Sequence, residues 1–170
     1  IILITTLLFS CMLSCDDHTI VLASYNVDNL FDDVDNGTEY YEYDPGRGKW
    51  THTLYQKKLD ATLKAVKSIA PTPDILCLQE IENRNVLDTL KNKLGYLWAA
   101  APPDSHSAST IGILSQCPIT RVAAHALPYV DGDPVRDILE TELLIENTPV
   151  IIFNCHWKSK SGGAKVTETA

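Results

Sequence analysis

The sequence has no surplus of basic residues, no Cys-x-x-Cys pair, no long apolar run and no internal repeat. Its 170 residues hold 14 lysines and arginines against 22 aspartates and glutamates, for a formal charge of −8. That balance argues against a protein that coats nucleic acid through a bulk positive field. It leaves room for a site where a local basic loop and a divalent cation hold a phosphate. The five cysteines, at positions 11, 15, 77, 117 and 155, have neither the spacing of a zinc site nor that of a disulfide framework. Cys77 in Ile75-Leu76-Cys77-Leu78 and Cys155 at the end of an apolar strand read as small buried hydrophobes. Eight glycines and nine prolines are scattered, not clustered, which excludes collagen and low-complexity disorder. What remains is an ordinary globular composition, 45% hydrophobic and long enough to bury a substantial core.

The start of the chain differs from the rest. Ile1 to Phe9 is almost wholly apolar, too short to span a bilayer and of the length of a signal-peptide core. Neither an initiator Met nor a basic segment precedes it, so the chain is expected to begin within a signal sequence. Met12-Leu13-Ser14-Cys15 resembles a bacterial lipobox, with Cys15 as the lipid-bearing residue; Leu8-Phe9-Ser10-Cys11 is a second candidate. The expectation is a partial signal region over residues 1–15 and a lipid-anchored, envelope or extracellular bacterial protein. The alternative is a buried N-terminal strand.

Thr19 to Val27 has strand length and composition, and Asp28 to Thr51 reads as a long polar surface loop. Leu59, Leu63, Val66 and Ile69 recur at helical spacing with Lys57, Lys58, Lys64 and Lys67 on the other face, so Leu54 to Ile69 reads as a helix. Asp74 to Gln79 reads as a buried strand, and Asn85 to Leu94 as a helix stopped by Gly95. Strands are expected over Tyr96–Ala101, Ile111–Ser115, Ile119–Leu127, Ile138–Ile145 and Val150–Asn154. Strand, helix, strand, helix and then a succession of strands predicts an α/β sheet with much antiparallel character.

Polar residues follow three apolar strands, where α/β proteins tend to build sites. They are Ser24-Tyr25-Asn26, Gln79-Glu80 and the run Asn154-Cys155-His156-Trp157-Lys158-Ser159-Lys160. Singly, each has a plain structural reading as turn former, helix cap or packed histidine. Together with Pro73-Asp74-Ile75-Leu76-Cys77-Leu78-Gln79-Glu80-Ile81-Glu82-Asn83, Ile111-Gly112-Ile113-Leu114-Ser115 and Arg136-Asp137-Ile138-Leu139-Glu140, they resemble the endonuclease/exonuclease/phosphatase superfamily. The resemblance runs over residues 19–170, and its Asn-x-His-Trp-Lys-Ser-Lys segment is similar to bacterial extracellular nucleases.

That resemblance implies a four-layer α/β sandwich of two packed mixed sheets flanked by helices, occupying residues 16–170 and incomplete here. It implies a phosphodiester hydrolase, most simply a monomeric nuclease acting on DNA or RNA with Mg²⁺ (or Mn²⁺ or Ca²⁺). Glu80 matches the cation-binding glutamate, and Asn26 the asparagine that orients that centre and the phosphate. His156 matches a histidine beside the scissile phosphate, suited to proton transfer near neutral pH. Arg136, Lys158 and Lys160 are the expected substrate-phosphate contacts, and Lys165 lies in the same basic loop. Arg136 reads equally well as an ion-pair partner of Asp133 or Asp137, and the lysines as a solvated loop. Tyr40, Tyr41, Tyr43 and Trp50 have two readings, base stacking or packing of the loop onto the body. Asp28, Asp32, Asp33 and Asp35 either recruit a cation or are simply solvated.

The family pattern continues with a Gly-Asp-x-Asn segment and, near its end, an Asp-His pair; no Gly-Asp-x-Asn occurs in these 170 residues, and both segments are expected beyond Ala170. This piece by itself is therefore expected to be inactive and poorly stable, with apolar sheet faces uncovered. Two further readings share the same residues: a phosphatase or sphingomyelinase-like phospholipase, and a degenerate, non-catalytic surface-binding lipoprotein.

Overall fold

A computed structural model describes residues 10–15, 18–103, 107–127 and 137–157. The elements run β1 (Ser10–Cys15), β2 (His18–Leu30), α1 (His52–Lys67), β3 (Ile75–Ile81), α2 (Arg84–Leu94), β4 (Trp98–Ala100), β5 (Thr110–Ser115), β6 (Ile119–His125), β7 (Ile138–Ile145) and β8 (Thr148–Asn154). A single 3-10 turn, Pro45–Arg47, interrupts the connection between β2 and α1.

Both helices start on side-chain caps. Thr51 accepts from the Leu54 amide at the head of α1, and Asn83 accepts from the Val86 amide at the head of α2. Gly95 ends α2 at φ 78, the left-handed conformation that glycine adopts without Cβ strain. Leu59, Leu63 and Val66 of α1 and Val86, Leu87 and Leu90 of α2 lie on one face of each helix and are buried. Burying each such side chain contributes about 1.5–3 kcal/mol.

These faces cover one side of a mixed sheet ordered β1-β2-β3-β5-β4. The β2–β3 pair is parallel, with α1 as the crossover, and the other pairs are antiparallel. β6, β7 and β8 form a second, antiparallel sheet. Strand alternation sorts β3 between two cores. Leu76, Leu78 and Ile81 face the helices, while Ile75 and Cys77 meet Leu139 and Leu143 of the second sheet. Burial on both sides is why Ile75 to Leu78 of β3 reads as an unbroken apolar run. Helices, first sheet and second sheet are three of the four layers implied by the resemblance. On the other face of the second sheet, Ile151 is 48% and Phe153 58% exposed.

Two segments add to the sequence reading. β1 pairs along β2 from Ser10↔Ala23 to Cys15↔His18. It occupies the sheet edge and leaves the β2–β3 ladder independent of it. The stretch 28–51 is not a plain surface loop: β2 runs on to Leu30, and Phe31 is fully buried. Phe31 stacks on Tyr43 with ring centroids 4.8 Å apart, Tyr43 meets Trp50 edge-on at 4.9 Å, and Tyr40 lies 5.5 Å from Phe31. The Trp50 indole N–H donates to the Asp32 carbonyl at 2.8 Å. Glu82, buried beneath the segment, accepts from the Asp32 amide at 2.7 Å and the Asn36 side chain at 3.1 Å. Burial pushes its carboxyl up to about 7.

Candidate active site

The carboxyl ends of the parallel strands β2 and β3 lie side by side, with Asn26 opposite Gln79. There the ladders slip on both sides of β3, between Asn26 and Leu30 and between Gln79 and Ile81. Glu80 sits in the slip at φ 63, a left-handed conformation that costs a non-glycine residue about 1–3 kcal/mol. Regular alternation would send Glu80 to the helix side with Leu78. The extra residue turns its carboxylate to the inter-sheet side and returns Ile81 to the helix-side core.

Asn26 fixes the carboxylate. Its Nδ2 donates to Glu80 Oε1 at 3.0 Å, while its Oδ1 accepts from the Asp28 amide at 2.8 Å. Asp28 and Asn29 follow at φ 56 and 61, so the chain turns sharply just past Asn26. His156, two residues beyond β8, brings Nε2 to 3.3 Å from the same Glu80 oxygen. The two side chains are only 15% and 17% exposed, sheltered yet reachable from solvent. The structure thus unites Asn26, Glu80 and His156, three residues expected from sequence to carry chemistry.

Tyr43 is partly buried in the segment that follows β2. Burial raises its phenol above the ordinary value of 10.0 and the Asp28 carboxylate adds to this; a hydrogen bond to Asn29 opposes the shift, and Glu42 and Glu80 add to it. Packing is thus the reading realised by Tyr40, Tyr43 and Trp50, whereas Tyr41 is 57% exposed. Lys49 Nζ lies 4.1 Å from the Tyr41 ring centre and Arg47 Cζ 4.9 Å.

The acidic residues before α1 do not converge. Asp28 faces Lys58 at 3.3 Å, Asp33 faces His52 at 2.6 Å, and Asp32 is buried in the Glu82 network. Among the described residues no group of three or more His, Cys, Asp or Glu side chains is arranged to hold a metal ion. The donor set at Glu80 nonetheless suits a hard divalent cation, which takes one or two carboxylates and keeps several waters. As placed, Asn26 serves that carboxylate as an orienting donor, its own oxygen being engaged by Asp28. Arg136, Lys158, Lys160 and Lys165 lie outside the described residues.

The Endonuclease/Exonuclease/phosphatase family matches residues 21–170. Among solved structures, TDP2 from Caenorhabditis elegans aligns with a TM-score of 0.51 and 19% identity, over 66% of this chain and 33% of that one. A truncated form of TDP2 from the same organism gives a TM-score of 0.47 and 21% identity, over 62% of this chain and 43% of that one. The chain therefore spans about a third of the first of these structures, and at 19% identity the likeness concerns the fold. No curated protein matches it. With the profile covering residues 21–170, the chain belongs to the Endonuclease/Exonuclease/phosphatase family.

Proposed function

We propose that this protein hydrolyses phosphodiester bonds in DNA or RNA, with Mg²⁺ or a similar divalent cation held at Glu80. The observation that carries the reading is the meeting of Asn26, Glu80 and His156 at the strand ends, with both partners within 3.3 Å of Glu80 Oε1. Glu80 supplies the anionic oxygen for the cation, and Asn26 holds it in place without adding charge. His156 stands beside it as the group that donates a hydrogen bond to a phosphoryl oxygen or moves a proton near neutral pH. The cation, when bound, polarises the phosphoryl group towards in-line attack by water. The preference for a nucleic-acid substrate rests on the sequence Asn154 to Gly163, whose Lys158 and Lys160, with Arg136, supply phosphate contacts. Anchoring to a bacterial envelope through Cys15 belongs to the same proposal, and the strand that Cys15 ends, β1, lies at the sheet edge.

The test is plasmid DNA and RNA degradation by the full-length protein with Mg²⁺, with EDTA, and with Glu80→Ala and His156→Ala. Mg²⁺-dependent cleavage lost in both variants supports the reading. Intact nucleic acid alongside cleavage of a phospholipid or sugar-phosphate panel would replace it with a phospholipase or phosphatase. Inertness towards every substrate would leave a binding protein.

A further inference from the structure

Beneath Asn26, Glu80 and His156 lies a second set of polar side chains, each one or two residues upstream of a member of the first. Ser24 precedes Asn26 on β2, Gln79 precedes Glu80 on β3, and Asn154 precedes His156 at the end of β8. Gln79 is 7% exposed and Asn154 3%, both buried where the two sheets meet. Gln79 Nε2 donates to Asn154 Oδ1 at 2.7 Å and to Ser24 Oγ at 3.1 Å. Asn154 Nδ2 spends both hydrogens on backbone carbonyls of the first sheet, Leu78 at 3.0 Å and Gly112 at 2.8 Å. Those carbonyls sit just before the β3–β5 ladder slips at Gln79/Ile81.

We propose that Gln79 and Asn154 are positioning residues that join the two sheets and set the distance between Glu80 and His156, an assignment that rests on the active-site reading above. Glu80 lies in the first sheet and His156 just past the last strand of the second, and neither ladder fixes one against the other. The Asn154 amide pins the end of β8 to β3 and β5 directly upstream of His156. Gln79 holds that amide in register and lies next to the strained Glu80. An amide meets the demand at both positions. Asn154 must donate twice and accept once, and Gln79 must present a donor to an oxygen. Apolar side chains of the same size would pack as well between the sheets, so the choice of amides reflects orientation more than burial.

The experiment compares Gln79→Met, Gln79→Glu and Asn154→Leu in the full-length protein, by Mg²⁺ calorimetry, crystal structure and steady-state kinetics. Gln79→Met retains side-chain length and both Asn154–carbonyl bonds, so it tests position with the least demand on folding. The expected result is a cooperatively folded protein in which Mg²⁺ affinity or kcat falls about 10- to 100-fold while KM changes little. Its Glu80–His156 separation should widen beyond the 3.3 Å seen here. Gln79→Glu should fare no better, because it turns a carboxylate oxygen towards Asn154 Oδ1. A folded Gln79→Met protein with wild-type Mg²⁺ affinity, kcat and separation overturns the proposal. Fold and function lost together in Gln79→Met also overturn it, since the residue would then be structural. A wild-type protein that cleaves no phosphodiester sinks the functional reading, while the crystallographic separation still reports on positioning.

Discussion

Asn26 Nδ2 lies 3.0 Å from Glu80 Oε1, joining adjacent parallel strands through residues 54 positions apart in the chain. With Asn26 Oδ1 tied to the Asp28 amide, the side chain has one orientation, and Glu80 inherits it. Asn26→Ala should lower Mg²⁺ affinity or kcat about 10- to 100-fold while leaving the fold intact. Calorimetric titration with Mg²⁺ alongside a melting curve checks both halves, and an unchanged Mg²⁺ isotherm with unchanged kcat would refute the orienting role.

Glu80 carries left-handed backbone strain at the proposed cation-binding position. Glu80→Gly should therefore melt higher than Glu80→Val, by about 1–3 kcal/mol in unfolding free energy, although both lack the carboxylate. Urea denaturation of the two variants decides the matter. Equal stabilities would mean that the slip relaxes when the side chain changes.

Gly112 faces the helix-side core across β5. A Cβ built there meets Ile81 Cδ1 and both terminal carbons of Leu87 at 2.9 Å, and both side chains are fully buried. Gly112→Ala should cost about 1–3 kcal/mol by overpacking. Since the Gly112 carbonyl accepts from Asn154, catalytic rate should fall with stability. A shift in the urea midpoint with no change in kcat would separate the two effects and argue against coupling.

Burial pushes the Cys77 thiol from 9.0 up to about 12, with Cys155 adding to the shift. Below pH 9.0 both folded and unfolded chains keep the proton, so the thiol leaves stability unaltered. Between pH 9.0 and about 12 the unfolded thiol ionises while the folded one does not, and stability is lost as pH rises. Cys77→Val should therefore lose less stability than the wild type across that interval, measured by urea denaturation. At pH 8, iodoacetamide should label Cys77 only under unfolding conditions, as read by mass spectrometry.

Much of this architecture was legible before folding was considered. Ile138 to Ile145 emerges as β7 with the expected bounds, because alternation between a buried and an open face leaves a period of two in the residues themselves. The helix at Leu54 to Ile69 begins slightly earlier, at His52, because the Thr51 side chain caps it there. The order within segment 28–51 is not legible, for the opposite reason. Its order comes from Phe31 stacking on Tyr43 and from Glu82 reaching the Asp32 amide across the fold, and neither contact leaves a local period.

The sequence by itself determined the alternation of elements, the family, and the placing of Asn26, Glu80 and His156 after strand ends. These follow from side-chain periodicity and short motifs, which are local properties of the chain. Only the tertiary structure decided which way Glu80 points, because that depends on a slip between β3 and two neighbouring strands. Only the packing of one sheet on the other brought His156 within 3.3 Å of Glu80, through amides whose partners lie on other strands.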